Sequence, residues 1–381
     1  MSIPKRIFLS SSIALAVILL FWGIYALSFK KAPAEKSAPA DNTQTDVPAV
    51  APAAKDSQIV SVSDEAVLAP ILSADGNSIK YYSKSTGKAY QMDLDGTNKK
   101  VLSDKELIDL SDIAWSPDKA KVISEFSAAT DHPKFFFYDY SQNKGVQLKN
   151  NLDNVVWAQD NKIFYKYFDA KTKERTLNVA DPDGSNWKKI TDISLRDISI
   201  APIPKTGLVS FWNKPDSFTE TLMQSAPVLG GERKDISKGK FGTDYLWSMD
   251  GNNLLESSVD KQGGSKLQLG IANSLGGEYK NLGIPTLASK CVWSKTNKII
   301  YYALPGSIPD GTILPNDYIN NKFNTSDTFW KVDIATGEKS RIIDLAKINT
   351  AYDAANLFLN SDESSLFFIN KIDGKLYKMS L

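Results

Sequence analysis

The chain has 381 residues, with 45 basic against 44 acidic side chains and a formal net charge of +1. That balance gives no electrostatic case for a nucleic-acid partner, and a single cysteine, Cys291, excludes an intrachain disulfide or a cysteine metal cluster. An aromatic content of 10% in a chain of this length fits a large all-β core.

Residues 7–29 form an apolar run without a charged side chain, preceded by Lys5 and Arg6. As a helix the run would be roughly 35 Å long, enough to cross a bilayer core of about 30 Å. Trp22 and Tyr25 fall near its outer end, where amphipathic rings favour the interface. We read residues 1–30 as a retained transmembrane signal anchor, with the N-terminus cytoplasmic and the rest extracytoplasmic, in a periplasm or at a cell surface. A cleaved signal peptide is the alternative, because Ala26-Leu27-Ser28 matches a small-x-small site. Residues 31–57 follow as a Pro/Ala-rich linker without an aromatic side chain, expected to be disordered and to act as a tether.

From residue 58 onward the pattern changes to repeats. A short phrase starts at Leu72 (L-S-A-D-G), Trp115 (W-S-P-D-K), Trp157 (W-A-Q-D-N) and Ile200 (I-A-P-I-P). It returns at Trp247 (W-S-M-D-G), Trp293 (W-S-K-T-N) and Leu359 (L-N-S-D-E), with steps of 43, 42, 43, 47, 46 and 66 residues. Strand-like runs rich in aromatic and β-branched residues follow each phrase, as at 121–126, 162–167 and 298–302. A period in the forties built of turns and strands marks the blades of a β-propeller. The phrase is then the turn between a blade's first two strands, a and b. Its large leading residue packs between neighbouring blades.

A second phrase closes the blade. D-L-D-G-T-N begins at Asp93 and D-P-D-G-S-N at Asp181, and L-G-G-E stands in the same slot at Leu229 and Leu275. These are turns between strands c and d. The calcium-loop reading of D-x-D-G-x-N fails at the twelfth position, which holds Asp104 and Asp192 where a bidentate Glu is required. After Leu359 there is room for only two more strands. The segment 58–62 precedes the first anchor without a blade of its own, so we expect it to complete the last blade and remove an open edge. The fold class is therefore all-β, a seven-bladed β-propeller over residues 58–381 with six blades as the alternative. One transmembrane helix and a disordered linker precede it.

The aromatic-S-P-D-x turn together with the D-x-D-G-x-N turn resembles the WD40-like repeat of TolB-type bacterial propellers, across about residues 58–381. The resemblance implies the fold. It leaves function open, because such blades occur in envelope proteins, peptidase propellers and sensors alike.

Chemistry-bearing motifs are sparse. His132 is the one histidine, no G-x-S-x-G elbow occurs, and too few ligands exist for a histidine metal site. We expect no enzyme, no catalytic residue, no metal and no cofactor. A carbohydrate-active hydrolase using acidic residues at the propeller channel is the rival, and a structural spacer without a ligand is the third reading. Binding has more to work with. The 66-residue step reflects a long insertion between strands b and c of the sixth repeat, at 304–327, and loops this long are commonly functional or disordered. The candidate binding face comprises Asp310, Asn316, Asp317, Tyr318, Asn320 and Asn321 from the insertion, with His132, Trp212, Asn213 and Lys214 from the corresponding loops of the second and fourth repeats. The expected partner is a protein or an envelope polymer, with membrane contact through residues 7–29.

Overall fold

The computed structural model describes residues 58–127 and 132–381. The expected anchor at 7–29 and linker at 31–57 lie outside the described residues. Among the described residues no helix is long and apolar enough to cross a membrane.

Strand follows strand in antiparallel order. The first full sheet joins β2 (Val67–Leu72), β3 (Ser78–Ser83), β4 (Ala89–Asp93) and β5 (Lys100–Ser103). The second joins β6 (Leu110–Trp115), β7 (Lys121–Phe126), β8 (Lys134–Asp139) and β9 (Lys144–Gln147). The third joins β10 (Leu152–Trp157), β11 (Ile163–Phe168), β12 (Arg175–Ala180) and β13 (Lys188–Asp192).

The next sheet has seven strands: β14 (Ile198–Pro202), β15 (Leu208–Asn213), β16 (Glu220–Pro227), β17 (Lys234–Trp247), β18 (Asn253–Val259), β19 (Leu267–Asn273) and β20 (Lys280–Ile284). The 14-residue β17 does double duty. Its first half pairs with β16, from Ser225↔Lys234 to Glu220↔Phe241, and its second half pairs with β18, from Phe241↔Val259 to Trp247↔Leu254. The ladder shifts register between Phe241 and Asp244, at Gly242, whose φ is +60°.

The last two sheets are β21 (Cys291–Trp293) with β22 (Ile299–Leu304), β23 (Thr328–Asp333) and β24 (Lys339–Arg341), and then β25 (Ala354–Leu359), β26 (Ser365–Asn370) and β27 (Leu376–Ser380). The outer position beside β27 is filled by β1 (Ile59–Ser61), with Ile59 opposite Met379 and Ser61 opposite Tyr377. β1 thus hydrogen-bonds to the last strand and covers the outer edge of β27.

Each sheet packs its apolar face against the next. Ile113, Trp115 and Val122 meet Tyr82 and Ala89; Leu152 and Trp157 meet Ile123 and Phe137; Val209 and Phe211 meet Leu177 and Val179. Tyr245 and Trp247 meet Trp212 and Met223 across the two halves of the seven-stranded sheet. Ile300 and Tyr302 meet Leu255 and Leu269, and Leu366 and Phe368 meet Ala303 and Phe329. The order then returns to its start, because Phe367 and Leu376 meet Val67 and Ile79. Each buried side chain of this kind contributes about 1.5–3 kcal/mol.

The recurring tryptophans fix the boundaries between sheets. Indole Nε1 of Trp115 donates to Ala69 O at 2.9 Å, that of Trp157 to Ala114 O at 2.8 Å, and that of Trp293 to Leu246 O at 3.3 Å. Buried indoles keep their N–H satisfied by reaching the inner strand of the preceding sheet. The turn after each anchor is equally regular. In S-P-D-K, Ser116 Oγ donates to Asp118 Oδ1 at 2.6 Å and the Ala120 amide donates to the same oxygen at 3.0 Å. The next position takes a positive φ at Gly76, Lys119, Asn161, Lys205, Gly251, Asn297 and Glu363, one per repeat. In the D-x-D-G-x-N turns the carboxylates are likewise engaged locally. Asn98 Nδ2 donates to Asp93 Oδ2 and Asn186 Nδ2 to Asp181 Oδ2, both at 2.7 Å. This is turn chemistry.

Candidate functional site

In an antiparallel meander the second-to-third-strand loops and the connections between sheets emerge at the same end. The insertion, residues 305–327 between β22 and β23, lies at that end and forms a roof. Leu314 and Tyr318 are buried with Val259, Leu267 and Leu287, and Phe241, Ile308 and Phe323 pack around them. A one-turn helix, Asn316–Ile319, carries the tie to the β15–β16 loop. Asn316 Nδ2 donates to Asp216 Oδ1 and Asn316 Oδ1 accepts from the Ser217 amide, both at 2.8 Å. The β18–β19 loop is knitted in by the Gly263 amide to Ser217 O (2.8 Å) and the Leu314 amide to Gly264 O (3.2 Å). Gly242 lies beneath, where a Cβ would stand 2.5 Å from Pro315 Cδ.

The roof is pinned at its far end by a buried charge cluster. Lys290 is 1% exposed, and its Nζ lies 2.6 Å from Asp327 Oδ2 and 2.7 Å from Asp353 Oδ1. It also donates to Thr325 Oγ1 and Ala354 O. Tyr318 Oη donates to Asp353 Oδ1 at 2.6 Å, and Lys371 Nζ sits 3.9 Å from the Tyr318 ring centroid. Burial pushes the Asp327 carboxyl above its ordinary range. Burial pulls Asp353 the same way, but the Lys290 charge and the Tyr318 and Thr325 hydrogen bonds outweigh it, so Asp353 lies below that range.

The roof reaches from the β15–β16 loop to the start of β25 and the β26–β27 turn. It does not extend over the β2–β5 and β6–β9 sheets, where a cleft of about 500 Å³ opens. Its walls are Leu107 and Ile108 from the β5–β6 connection and Phe126, Phe136 and Tyr138 from β7 and β8. Phe126 and Phe136 meet edge to face at 5.3 Å, and Ile108 is 81% exposed. Lys105, His132, Lys134 and Asp109 supply the polar atoms. Lys105 Nζ stands 5.8 Å from the Tyr138 ring centroid. Gly145 of β9 also lines it. An apolar recess of this size with a few polar groups is the usual form of a binding site.

The expected site residues fall into three places. His132 is exposed at the cleft. Asn213 and Lys214 line a separate polar depression of about 350 Å³ with Arg196, Asp197 and Asp216. The insertion residues build the roof. Two residues expected on the binding face are buried. Trp212 is 5% exposed, packed edge to face with Tyr245, and its Nε1 donates to Asp244 Oδ1 at 3.2 Å. Tyr318 is 6% exposed, spent on Asp353. Asn316 and Asp317 are also committed, the latter to the Ile313 amide and Lys322. Asp310, Asn320 and Asn321 remain on the exposed side of the roof.

Missed were Ile108, Phe126, Phe136 and Tyr138. The signal lay in the run Phe135-Phe136-Phe137-Tyr138, where successive side chains point to opposite sheet faces and both faces must therefore meet apolar surface. Cys291 is buried, and burial pushes its thiol far above the ordinary range, consistent with an inert role. Among the described residues no three His, Cys, Asp or Glu side chains form a group that could hold a metal.

No protein-family model and no curated protein matches the chain in sequence. Solved structures do. An oligogalacturonate lyase in complex with manganese is 14% identical, with 86% of this chain and 94% of that chain covered, at a TM-score of 0.62. The β-propeller domain of the trilobed protease from Pyrococcus furiosus is 12% identical over 83% of this chain and 94% of that one, at 0.54. TolB from Acinetobacter baumannii is 13% identical over 83% of this chain and 63% of that one, at 0.45. Likeness at this level of identity carries the fold alone, a β-propeller.

Proposed function

We propose that this chain is a non-catalytic, seven-bladed β-propeller that binds a protein partner or an envelope polymer at the uncovered half of its loop-bearing end. The count of seven comes from dividing the seven-stranded sheet at β17, which leaves seven four-stranded units with β1 completing the last. Residues 7–29 would hold it to a membrane with the N-terminus cytoplasmic and the propeller in the periplasm or at the cell surface.

The observation that carries the binding reading is the asymmetry of the loops. One half is roofed and fastened by buried ionic contacts, whereas the other presents an aromatic cleft with an exposed Ile108. Proximity labelling and cross-linked capture from intact membranes test it, comparing the full chain with Ile108→Glu and Gly145→Val. Both positions are exposed, and a Cβ at Gly145 meets Tyr138 at an ordinary 3.4 Å, so folding is preserved. We expect one set of captured partners to disappear in both variants; unchanged capture would refute the reading.

One observation favours the hydrolase rival. Asp112 of β6 lies opposite Glu125 of β7, and burial, with the Glu125 charge adding to it, raises Asp112 above the ordinary carboxyl range. A carboxyl shifted upward beside a second acidic side chain is the kind of pair that acid catalysis of glycoside cleavage uses. Polysaccharide cleavage by the full chain that is lost in Asp112→Asn would establish this second reading in place of the first.

A further inference from the structure

We infer that the recess between the β10–β13 sheet and strands β14–β16 takes an indole, held where other repeats hold their anchor tryptophan. The site lies at the end opposite the roof, among the turns that join first to second and third to fourth strands, and it does not depend on the binding reading above. The first argument is register. Trp115, Trp157, Trp247 and Trp293 stand opposite Val122, Ile163, Leu254 and Ile300, a fully buried residue near the start of each second strand. Leu72 and Leu359 stand opposite Ile79 and Leu366 in the same way. In the fourth repeat the place opposite the buried Val209 belongs to Pro202, two residues beyond Ile200. A pyrrolidine ring is much smaller than an indole and carries no hydrogen-bond donor.

The second argument is the wall. A recess of about 470 Å³ opens beside Pro202, and residues at positions that enclose an indole elsewhere line it. Around Trp115, Tyr140 stacks on the ring at 5.9 Å and Lys80 Nζ stands 5.8 Å from a ring centroid. Val228 takes the place of Tyr140, because its amide donates to Gly207 O as that of Tyr140 donates to Ala120 O. Phe164 takes the place of Lys80, because each pairs with the residue just before its own anchor, Val156 and Ile71. Val179, Ile203 and Leu208 complete an apolar lining. An apolar cavity of about 150 Å³ already holds a benzene ring.

The third argument is the hydrogen bond. The indoles of Trp157 and Trp293 donate to Ala114 O and Leu246 O, each the carbonyl just before the preceding anchor. The matching carbonyl for the fourth repeat is that of Val156, and an indole in the recess brings the donor that Pro202 lacks. Leu229 forms an apolar lip at the mouth and is 101% exposed. It stands one residue before the glycine that closes its turn, Gly230 to Pro227 O, where Asp95 and Asp183 precede Gly96 and Gly184. Those sibling turns form with a carboxylate there, so the leucine serves the recess and not the turn.

The test titrates the full-length protein, in micelles with isoleucine, leucine and valine methyl groups labelled, with indole and with benzofuran, which has the same shape but an oxygen in place of the N–H. We expect saturable shifts at Ile203, Val228 and Leu229, with indole binding about fivefold more tightly, as one hydrogen bond provides. Pro202→Trp supplies the ring covalently, at a place where four repeats already carry it, and should abolish both titrations. Leu229→Asp copies the sibling turns and should weaken both ligands by a similar factor. N-acetyltryptophanamide separates the two sources of an indole. Binding as tight as that of indole supports the inference and assigns the recess to a tryptophan side chain of a partner, whereas weaker binding supports it with a free indole compound. No saturable shift with indole, or equal affinities for indole and benzofuran, would overturn the inference. Shifts that persist in a folded Pro202→Trp protein would overturn it as well. Should Pro202→Trp fail to fold, unchanged affinities in Leu229→Asp would do the same.

Discussion

Lys290 Nζ and Asp327 Oδ2 are 2.6 Å apart with both side chains at most 1% exposed, and they join the start of β21 to the end of the insertion. Asp353 closes the group from the next sheet. Two carboxylates share one ammonium, and Asp327 Oδ1 is left buried without a hydrogen-bond partner. Such a cluster gives geometric definition more than net stability.

Replacing Lys290 by Met therefore leaves two buried carboxylates uncompensated and should cost about 3–5 kcal/mol in denaturant unfolding. Adding Asp327→Asn and Asp353→Asn to Lys290→Met should recover a large part of that loss. Additive losses in the triple variant would mean that the cluster has no coupled electrostatic role.

Ile59 is 3% exposed and packs with Leu366, Phe368 and Met379, the one buried side chain of this three-residue strand. Ile59→Ala should cost about 2–5 kcal/mol. It should also raise hydrogen exchange first along β27, from 376 to 380. Loss of protection spread evenly through all sheets would show that β1 is not a separate closing element.

Gly242 combines a φ of +60° with a Cβ position 2.5 Å from Pro315 Cδ. Gly242→Ala meets both backbone strain and a clash with the roof, and should cost about 1–3 kcal/mol. Limited proteolysis within 305–327 should accelerate in this variant. An unchanged cleavage rate would mean that the roof is held without this close approach.

Asp118 has a carboxyl at about 2: burial opposes the shift, but the Ser116 hydroxyl, the Ala120 amide and Lys121 outweigh it. A folded value below the unfolded one contributes stability that is present above about pH 4 and is lost as pH falls through about 2. Asp118→Asn should therefore destabilise at pH 7, by at most about 1 kcal/mol after solvent screening. At pH 2 the variant and the parent should melt together. A constant difference between pH 7 and pH 2 would contradict the assignment.

The repeat was legible because its signals are local. A tryptophan, a Ser–Asp pair and a left-handed turn residue recur within five positions, and each forms its contacts within that turn or with the preceding sheet. β17 was not legible in the same way. Its K-G-K-F-G-T stretch carries two glycines and no local strand signal, and the strand is kept continuous by pairing with β16 on one side and β18 on the other. The site was read in part. His132, Asn213 and Lys214 do line surface recesses. Tyr318 and Asn316 turn inward because their partners, Asp353 and Asp216, are 35 and 100 positions away in sequence. The cleft walls come from separate sheets, which no local pattern announces.

The direction of β1 decides at which end the described chain begins. Ile59 lies opposite Met379, whereas Val62 meets Leu376 next to the β26–β27 turn, so residue 58 stands at the end remote from the roof. The strand therefore climbs the outer edge of the last sheet toward the roof before β2 starts the first one.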